Sequence, residues 1–464
     1  MRHAGLLNTV LFGSVLAGAV AAPALAVLGT APARPASDEA AALTGATAPT
    51  ATAPTDDTAP TGDGTRAPRV VEYRGLRLPV PAGWEVHDLE RDPARCVRYD
   101  RRAVYLGRPG AQPDCPASVV GRTESVHIEP AGDSPRARRV VRGGRLATLK
   151  IAPSVDHETR LALPDVGVTI TGVYGTDPAP LQRMLRGARV TGKAGGTAGP
   201  GAPQPSRTDA RRADPGPPGP DASGGGAPGA NDPGARDRKW VRGKGFDTCT
   251  APSLATMKAW RPSFKLTNIY IGGAARGCAQ PNLNRKWVRE VRDMGYRITP
   301  TYVGLQAPCG SRPQQFTAKN AAAEGRKAAV DAARKAKALG IPKGAPIYLD
   351  MEAYNSRKQG CKAAVLRFVD NWVRKLKDEG YTPCLYSSVA SGIRDVGRAD
   401  GIGKPEGIWF ANWDGKARVY DDPYIPNDWW RPHRRIKQYR GDHDERHGGV
   451  TLNIDSNIAD GLAY

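Results

Sequence analysis

Ala345-Pro-Ile-Tyr-Leu-Asp-Met-Glu-Ala-Tyr354 decides how the second half of this 464-residue chain is read. On a β-strand successive side chains point to opposite faces, so Ile347, Leu349 and Met351 share one face and Asp350 and Glu352 share the other. In a parallel strand of an α/β protein the apolar set packs against a helix. The two carboxylates are then left at the carboxyl end of the strand, where such proteins place their ligands. Two acids displayed together there can act as a proton donor and its partner, which is what cleavage of a glycosidic bond requires.

The flanking sequence alternates strand and helix from Trp240 onward. Candidate strands are Gly243 to Thr248, Leu266 to Gly272, Arg297 to Leu305, Pro346 to Glu352, Thr382 to Ser387, Gly407 to Trp413, Arg435 to Arg440 and Thr451 to Asp455. Leu283, Trp287, Val288, Val291 and Met294 form one stripe of helical period. Val365, Phe368, Val369, Trp372, Val373 and Leu376 form another, and an Ala-rich segment from Phe316 to Leu339 is a third helix. Eight strands with interposed helices in about 225 residues match a (β/α)8 barrel of the α/β class over residues 239–464. The connections after the sixth and seventh strands lack helical periodicity, so the barrel is expected to be irregular in its last quarter.

Closure of that barrel gathers acids from distant parts of the chain. Asp247 ends strand one, Asp350 and Glu352 end strand four, and Asp455 ends strand eight; strands one and eight are neighbours only in a closed barrel. Tyr302 and Gln306 from strand three, Asn412 and Trp413 from strand six, and Gln438 and Tyr439 from strand seven are expected at the same mouth. Crowded carboxylates raise one another's pKa, so one can hold a proton while another stays ionised. Aromatic faces would stack on sugar rings and amides would orient them. Trp429 and Trp430 either form a sugar-facing loop or plug the barrel where helices are missing. His443-Asp-Glu-Arg-His447 imitates a zinc signature, but its Glu is one place too late, and Gly441, Gly448 and Gly449 indicate a loop; no metal and no cofactor is expected.

Several of these segments together carry a family likeness. Gly-Phe-Asp-Thr-Cys (245–249), Ile-Tyr-Ile-Gly-Gly (269–273), Tyr-Val-Gly-Leu-Gln-Ala-Pro-Cys (302–309), Tyr-Leu-Asp-Met-Glu-Ala-Tyr (348–354), Leu-Tyr-Ser-Ser (385–388) and Ile-Asp-Ser-Asn (454–457) resemble the secreted actinobacterial glycoside-hydrolase-like barrel family. That family is distantly similar to family 25 lysozymes, which are muramidases. The resemblance spans residues 243–464 and implies a cell-wall polysaccharide of the peptidoglycan type as partner. It also implies Glu352 as general acid, Asp350 as stabiliser of the oxocarbenium-like transition state or orienter of an acetamido group, and Asp247 and Asp455 as tuning residues. Tyr354 and Asn457, from the same segments, join the candidate substrate-binding residues. A barrel that binds glycan without cleaving it, or a structural envelope protein, is the alternative, because fold alone establishes no reaction.

The first half of the chain reads differently. Arg2 and His3, an apolar run from Leu6 to Val20 and Ala24-Leu25-Ala26 read as a signal peptide over residues 1–26, implying export. Once that segment is cleaved no transmembrane anchor is expected, since no later segment approaches the roughly 20 apolar residues of a span. Residues 27–67 and 193–238 are dominated by Ala, Pro, Gly and polar residues and read as disordered linkers. Between them, residues 68–192 read as a small β-rich α+β accessory domain with a late helix from Pro180 to Val190. The net charge of +21 suits an acidic wall polymer. No aromatic-interleaved basic stripe suggests nucleic acid, and a monomer is expected.

An exported chain with seven cysteines should form disulfides. Cys96 and Cys115 pair locally in the accessory domain. Consecutive parallel strands are neighbours, so Cys249 reaches Cys278 and Cys309 reaches Cys361 across adjacent loops at the mouth. Cys384 begins strand five, at the opposite end, and is expected as a buried free thiol.

Overall fold

The computed structural model describes residues 68–110, 115–132, 139–191 and 239–464. The signal segment and both linkers of the sequence reading lie outside the described residues, which all belong to one unit, Asp63–Tyr464.

In the N-terminal module the strands are β1 (Arg69–Tyr73), β2 (Leu76–Val80), β3 (Glu85–Asp88), β4 (Ala103–Leu106), β5 (Ser125–Pro130), β6 (Arg139–Val140), β7 (Glu158–Leu163) and β8 (Val168–Val173). Helix α1 (Ala179–Gly187) and strand β9 (Arg189–Val190) complete it. Six strands form one sheet in the order β3-β4-β5-β8-β7-β6, and β1-β2-β9 form a second. Leu78, Val104, Val126, Leu161, Val168, Ile170, Leu181 and Leu185 fill the space between sheets and helix, all fully buried. Each such side chain is worth about 1.5–3 kcal/mol of transfer free energy.

The C-terminal half is a closed eight-stranded barrel. Its strands are β10 (Trp240–Asp247), β11 (Leu266–Gly272), β12 (Arg297–Tyr302), β13 (Pro346–Met351), β14 (Thr382–Ser388), β15 (Gly407–Ala411), β16 (Arg435–His447) and β17 (Val450–Leu462). Helices α2 (Leu254–Trp260), α3 (Arg285–Asp293), α4 (Ala321–Ala338), α5 (Gln359–Asp378) and α6 (Arg394–Arg398) follow the first five strands. Strand β13 shows how the faces divide. Ile347, Leu349 and Met351 join Val365, Phe368, Val369 and Trp372 of α5 in the outer core, while Tyr348 lies inside the barrel with Val241, Leu266, Cys384, Trp409 and Ile436.

The last quarter departs from the regular (β/α)8 pattern. Strands β10 to β16 pair in parallel, but β17 runs antiparallel to both β16 and β10. The cause is local: Gly448 and Gly449 both have positive φ (55° and 82°), and they turn β16 straight back into β17. A two-residue turn can join only antiparallel strands, since a parallel return needs a crossover of a dozen residues or more. Residues 443–447 are therefore strand rather than loop. Asp455 also lies within its strand rather than at the end. It still reaches the mouth, because the reversed strand places it opposite Asp247.

No helix follows β15, and Trp429 and Trp430 fill the gap. Trp430 Nε1 donates to the Pro405 carbonyl at 2.8 Å, and a Cβ on Gly397 of α6 would collide with the Trp429 ring. The two indoles are plugs rather than a sugar platform.

The cysteines pair as expected: Cys96–Cys115, Cys249–Cys278 and Cys309–Cys361. Cys384 is free and buried, and burial pushes its thiol well above the ordinary range. Cys384 should therefore resist a thiol reagent in the folded protein and label only on unfolding. Labelling at native rates comparable to a free peptide thiol would contradict its place on the barrel floor.

Candidate active site

The upper interior of the barrel is polar because inward positions of its strands end in acids and amides. Asp247 closes β10, Asp350 sits one residue from the end of β13, and Asp455 faces Asp247 across the β10–β17 pair. All three are only 1% exposed. Glu352, just past β13, is higher in the mouth, with its side chain 20% exposed.

Gln438 and Asn457 hold this cluster together. The Gln438 amide donates to Asp247 Oδ2 at 2.9 Å and to Asp455 Oδ2 at 3.0 Å. Its carbonyl oxygen accepts from Tyr386 Oη and Trp413 Nε1, both at 2.9 Å. The Asn457 amide donates to Asp247 Oδ1 and its oxygen accepts from Trp409 Nε1 at 2.8 Å. Asp455 Oδ1 accepts from the Asp442 amide at 2.6 Å, at the irregularity in β16 beside Gly441. Gln306 grips the end of β13: Nε2 donates to the Asp350 carbonyl at 2.9 Å, and Oε1 accepts from the Glu352 amide at 2.8 Å.

Electrostatics follow from burial and crowding. Desolvation, and then the neighbouring Asp455 charge, hold Asp247 well above the usual carboxylate range. Desolvation and Glu352 do the same to Asp350. Asp350 Oδ1 is buried with no hydrogen-bond partner. Asp455 is pushed up to about 6, chiefly by burial. Its folded pKa lies above the unfolded one, so the stability carried by that proton is present below about pH 4 and lost as pH rises through about 6. Between those values wild type should lose stability faster than Asp455→Asn, the slopes differing by up to one proton, about 1.4 kcal/mol per pH unit. Urea unfolding at a series of pH values reads the slopes; parallel lines would refute the assignment.

Among the residues singled out from sequence, Asp247, Asp350, Glu352, Asp455, Gln306, Gln438, Asn457 and Trp413 come together. Trp413 is 60% exposed and covers Gly441, so its ring is open to solvent at the rim. Four others do not. Tyr302 points outward, where its hydroxyl donates to Asp331 of α4 at 3.0 Å and its ring stacks on Trp372. Tyr354 donates to Asp395 of α6 at 2.8 Å. Asn412 donates to Asp422 in the following loop at 2.8 Å. Tyr439 is the extra residue of the register shift between Gln438 and Arg440 and serves through its carbonyl, which accepts from Gly415.

Sequence reading missed Tyr270, Tyr386 and Arg312. The two tyrosines are buried, and burial together with the nearby carboxylates holds both hydroxyls well above their ordinary range, so they remain donors. Their signal was alternation: each occupies an inward position in the segments 269–273 and 385–388. Arg312, in the loop after β12, donates from Nη2 to Glu352 Oε2 at 2.9 Å. Nothing in the pattern of that loop marked it.

Acids from the first, fourth and eighth strands of the closed barrel thus meet at one mouth. Residues 258–459 match the family model described as Rv2525c-like, glycoside hydrolase-like domain, in agreement with the resemblance read from the motifs. No curated protein matches the chain in sequence. Solved structures similar to it include an uncharacterized B. stearothermophilus protein, 21% identical with TM-score 0.33, covering 47% of this chain and 99% of the other. The Clostridium perfringens spore cortex lytic enzyme SleM is 16% identical with TM-score 0.29, covering 43% and 62%. A muramidase from Acremonium alcalophilum is 14% identical with TM-score 0.30, covering 47% and 93%.

Proposed function

We propose that the barrel hydrolyses a β-1,4-linked amino-sugar polymer of the cell wall, peptidoglycan in type, outside the cell. The observation that carries this reading is the assembly of Asp247, Asp350, Glu352 and Asp455 at one mouth, with the first and last joined through Gln438. The family match over residues 258–459 supports it, and three disulfides fit an oxidising compartment. Among the described residues no helix is long and apolar enough to cross a membrane.

The acids take the roles that the family likeness implies. Glu352 is the carboxyl group nearest solvent and protonates the leaving glycosidic oxygen. Asp350 lies beneath it with Oδ1 unpartnered, available to accept from an acetamido N–H of the sugar and, once its proton has passed to Glu352, to support the developing oxocarbenium charge. Asp247 and Asp455, held by amides, set the field around the pair. Trp413 offers its exposed ring to a sugar face. One observation favours a binding-only barrel as second reading: Glu352 is engaged by Arg312. Incubation of the purified protein with cell walls separates the two. Released reducing ends establish hydrolysis; saccharide binding that survives Glu352→Gln without any turnover establishes binding alone.

A further inference from the structure

The N-terminal module meets the barrel at its mouth. Two of its segments run beside the loop that follows β11. Ala279 N donates to Val97 O at 3.0 Å, Tyr99 N to Gly277 O at 2.7 Å, Gly277 N to Val119 O at 3.1 Å and Gly121 N to Ala275 O at 2.7 Å. The disulfides Cys96–Cys115 and Cys249–Cys278 pack together in one buried cluster on this seam. A Cβ on Gly277 would lie 2.3 Å from the Val119 carbonyl oxygen, so only glycine lets the two backbones approach this closely.

From the seam a continuous hydrogen-bonded path leads to the acids. Arg122 N donates to Gln314 Oε1 at 2.7 Å, and Gln314 Nε2 donates to Arg122 O at 2.6 Å. Gln314 is 1% exposed. Its backbone carbonyl accepts from Gln306 N at 2.7 Å, and the Gln306 side chain holds the Asp350 carbonyl and the Glu352 amide. On the same loop Arg312 reaches Val120 O at 3.5 Å and Glu352 Oε2 at 2.9 Å. The Arg122 guanidinium is anchored separately, on the Arg276 and Asp156 carbonyls and on Glu158. The module therefore has a seat that does not depend on Gln314.

We infer that the N-terminal module is a working wall of the active site: by clasping Gln314 it sets the loop that carries Gln306 and Arg312, and so fixes where Glu352 stands. Gln314 is a positioning residue. The consequence for turnover rests on the hydrolase reading, whereas the positioning itself does not. A buried amide that pairs reciprocally with a backbone has no substitute partner once removed, because water does not reach the unpaired groups.

The test uses the full chain and three variants. Gln314→Ala cuts the path to the acids. Asn453→Ala cuts another bond of the same seam, in which Ala117 N donates to Asn453 Oδ1 at 2.6 Å with no link to β13. Hydrogen–deuterium exchange at the Glu352 amide should speed up at least tenfold in Gln314→Ala and stay unchanged in Asn453→Ala. Gln314→Glu keeps the acceptor and loses the donor. It should shift exchange in the same direction and serves if the alanine variant does not fold. On wall glycan, Gln314→Ala should lower kcat about tenfold with KM nearly unchanged. Unchanged exchange at Glu352, or equal acceleration in the Gln314 and Asn453 variants, would overturn the inference. Altered exchange with no turnover even in wild type would leave the positioning standing and sink the hydrolase reading.

Discussion

Glu352→Gln should reduce the release of reducing ends from cell walls by about 10²–10⁴-fold, the loss that follows removal of a general acid, while leaving the fold intact. The substitution keeps the shape of the side chain and an oxygen that still accepts from Arg312, so the salt-bridged corner retains its packing. What disappears is the transferable proton. Stability should change little, because the side chain is partly solvated and its backbone amide remains held by Gln306. The measurement is reducing-end release alongside a melting curve for both proteins. Equal rates in wild type and variant would remove Glu352 from the chemistry, and with it the hydrolase reading.

Gln438→Leu should cost about 3–5 kcal/mol of stability, a large effect for one uncharged side chain. Four hydrogen bonds end on this amide, two donated to buried carboxylates and two accepted from Tyr386 and Trp413. Trp413 can turn to water, but Asp247 and Asp455 cannot, and a buried acceptor left unpaired loses about 1–3 kcal/mol. The sign with pH is also determined. Gln438 also donates to Asp455, whose carboxyl is pushed up to about 6, and that bond favours its ionised form, so the deficit should be larger at pH 8 than at pH 5. Denaturant unfolding at the two pH values tests both points. A loss below about 1 kcal/mol at pH 8 would mean that the carboxylates find other donors.

Period-two alternation together with barrel closure made much of the site legible. Asp350 and Glu352 had to oppose Ile347, Leu349 and Met351, and a closed barrel had to bring Asp247 beside Asp455. The disulfide pattern followed from the adjacency of consecutive strands. The same alternation also shows where the reading overreached. Asn412 and Trp413 are consecutive residues just past β15, and Gln438 and Tyr439 are consecutive on β16, so in an extended chain each pair could send only one side chain inward. Trp413 and Gln438 took those places.

Tyr302 marks where alternation alone runs out. Inward Thr299 and Thr301 are as compatible with a polar interior as an inward tyrosine would be, and an amphipathic ring suits either face when a partner waits there. Asp331 of α4 supplied that partner on the outside. Residue pattern by itself determined the class of fold, the acids and the cysteine pairs, because these depend on local period and on which strands are consecutive. Tertiary structure alone decided the reversal of the last strand, the placing of Arg312 on Glu352 and the seating of the N-terminal module at the mouth. Each of those rests on contacts between segments far apart in the chain, about which local periodicity carries no information.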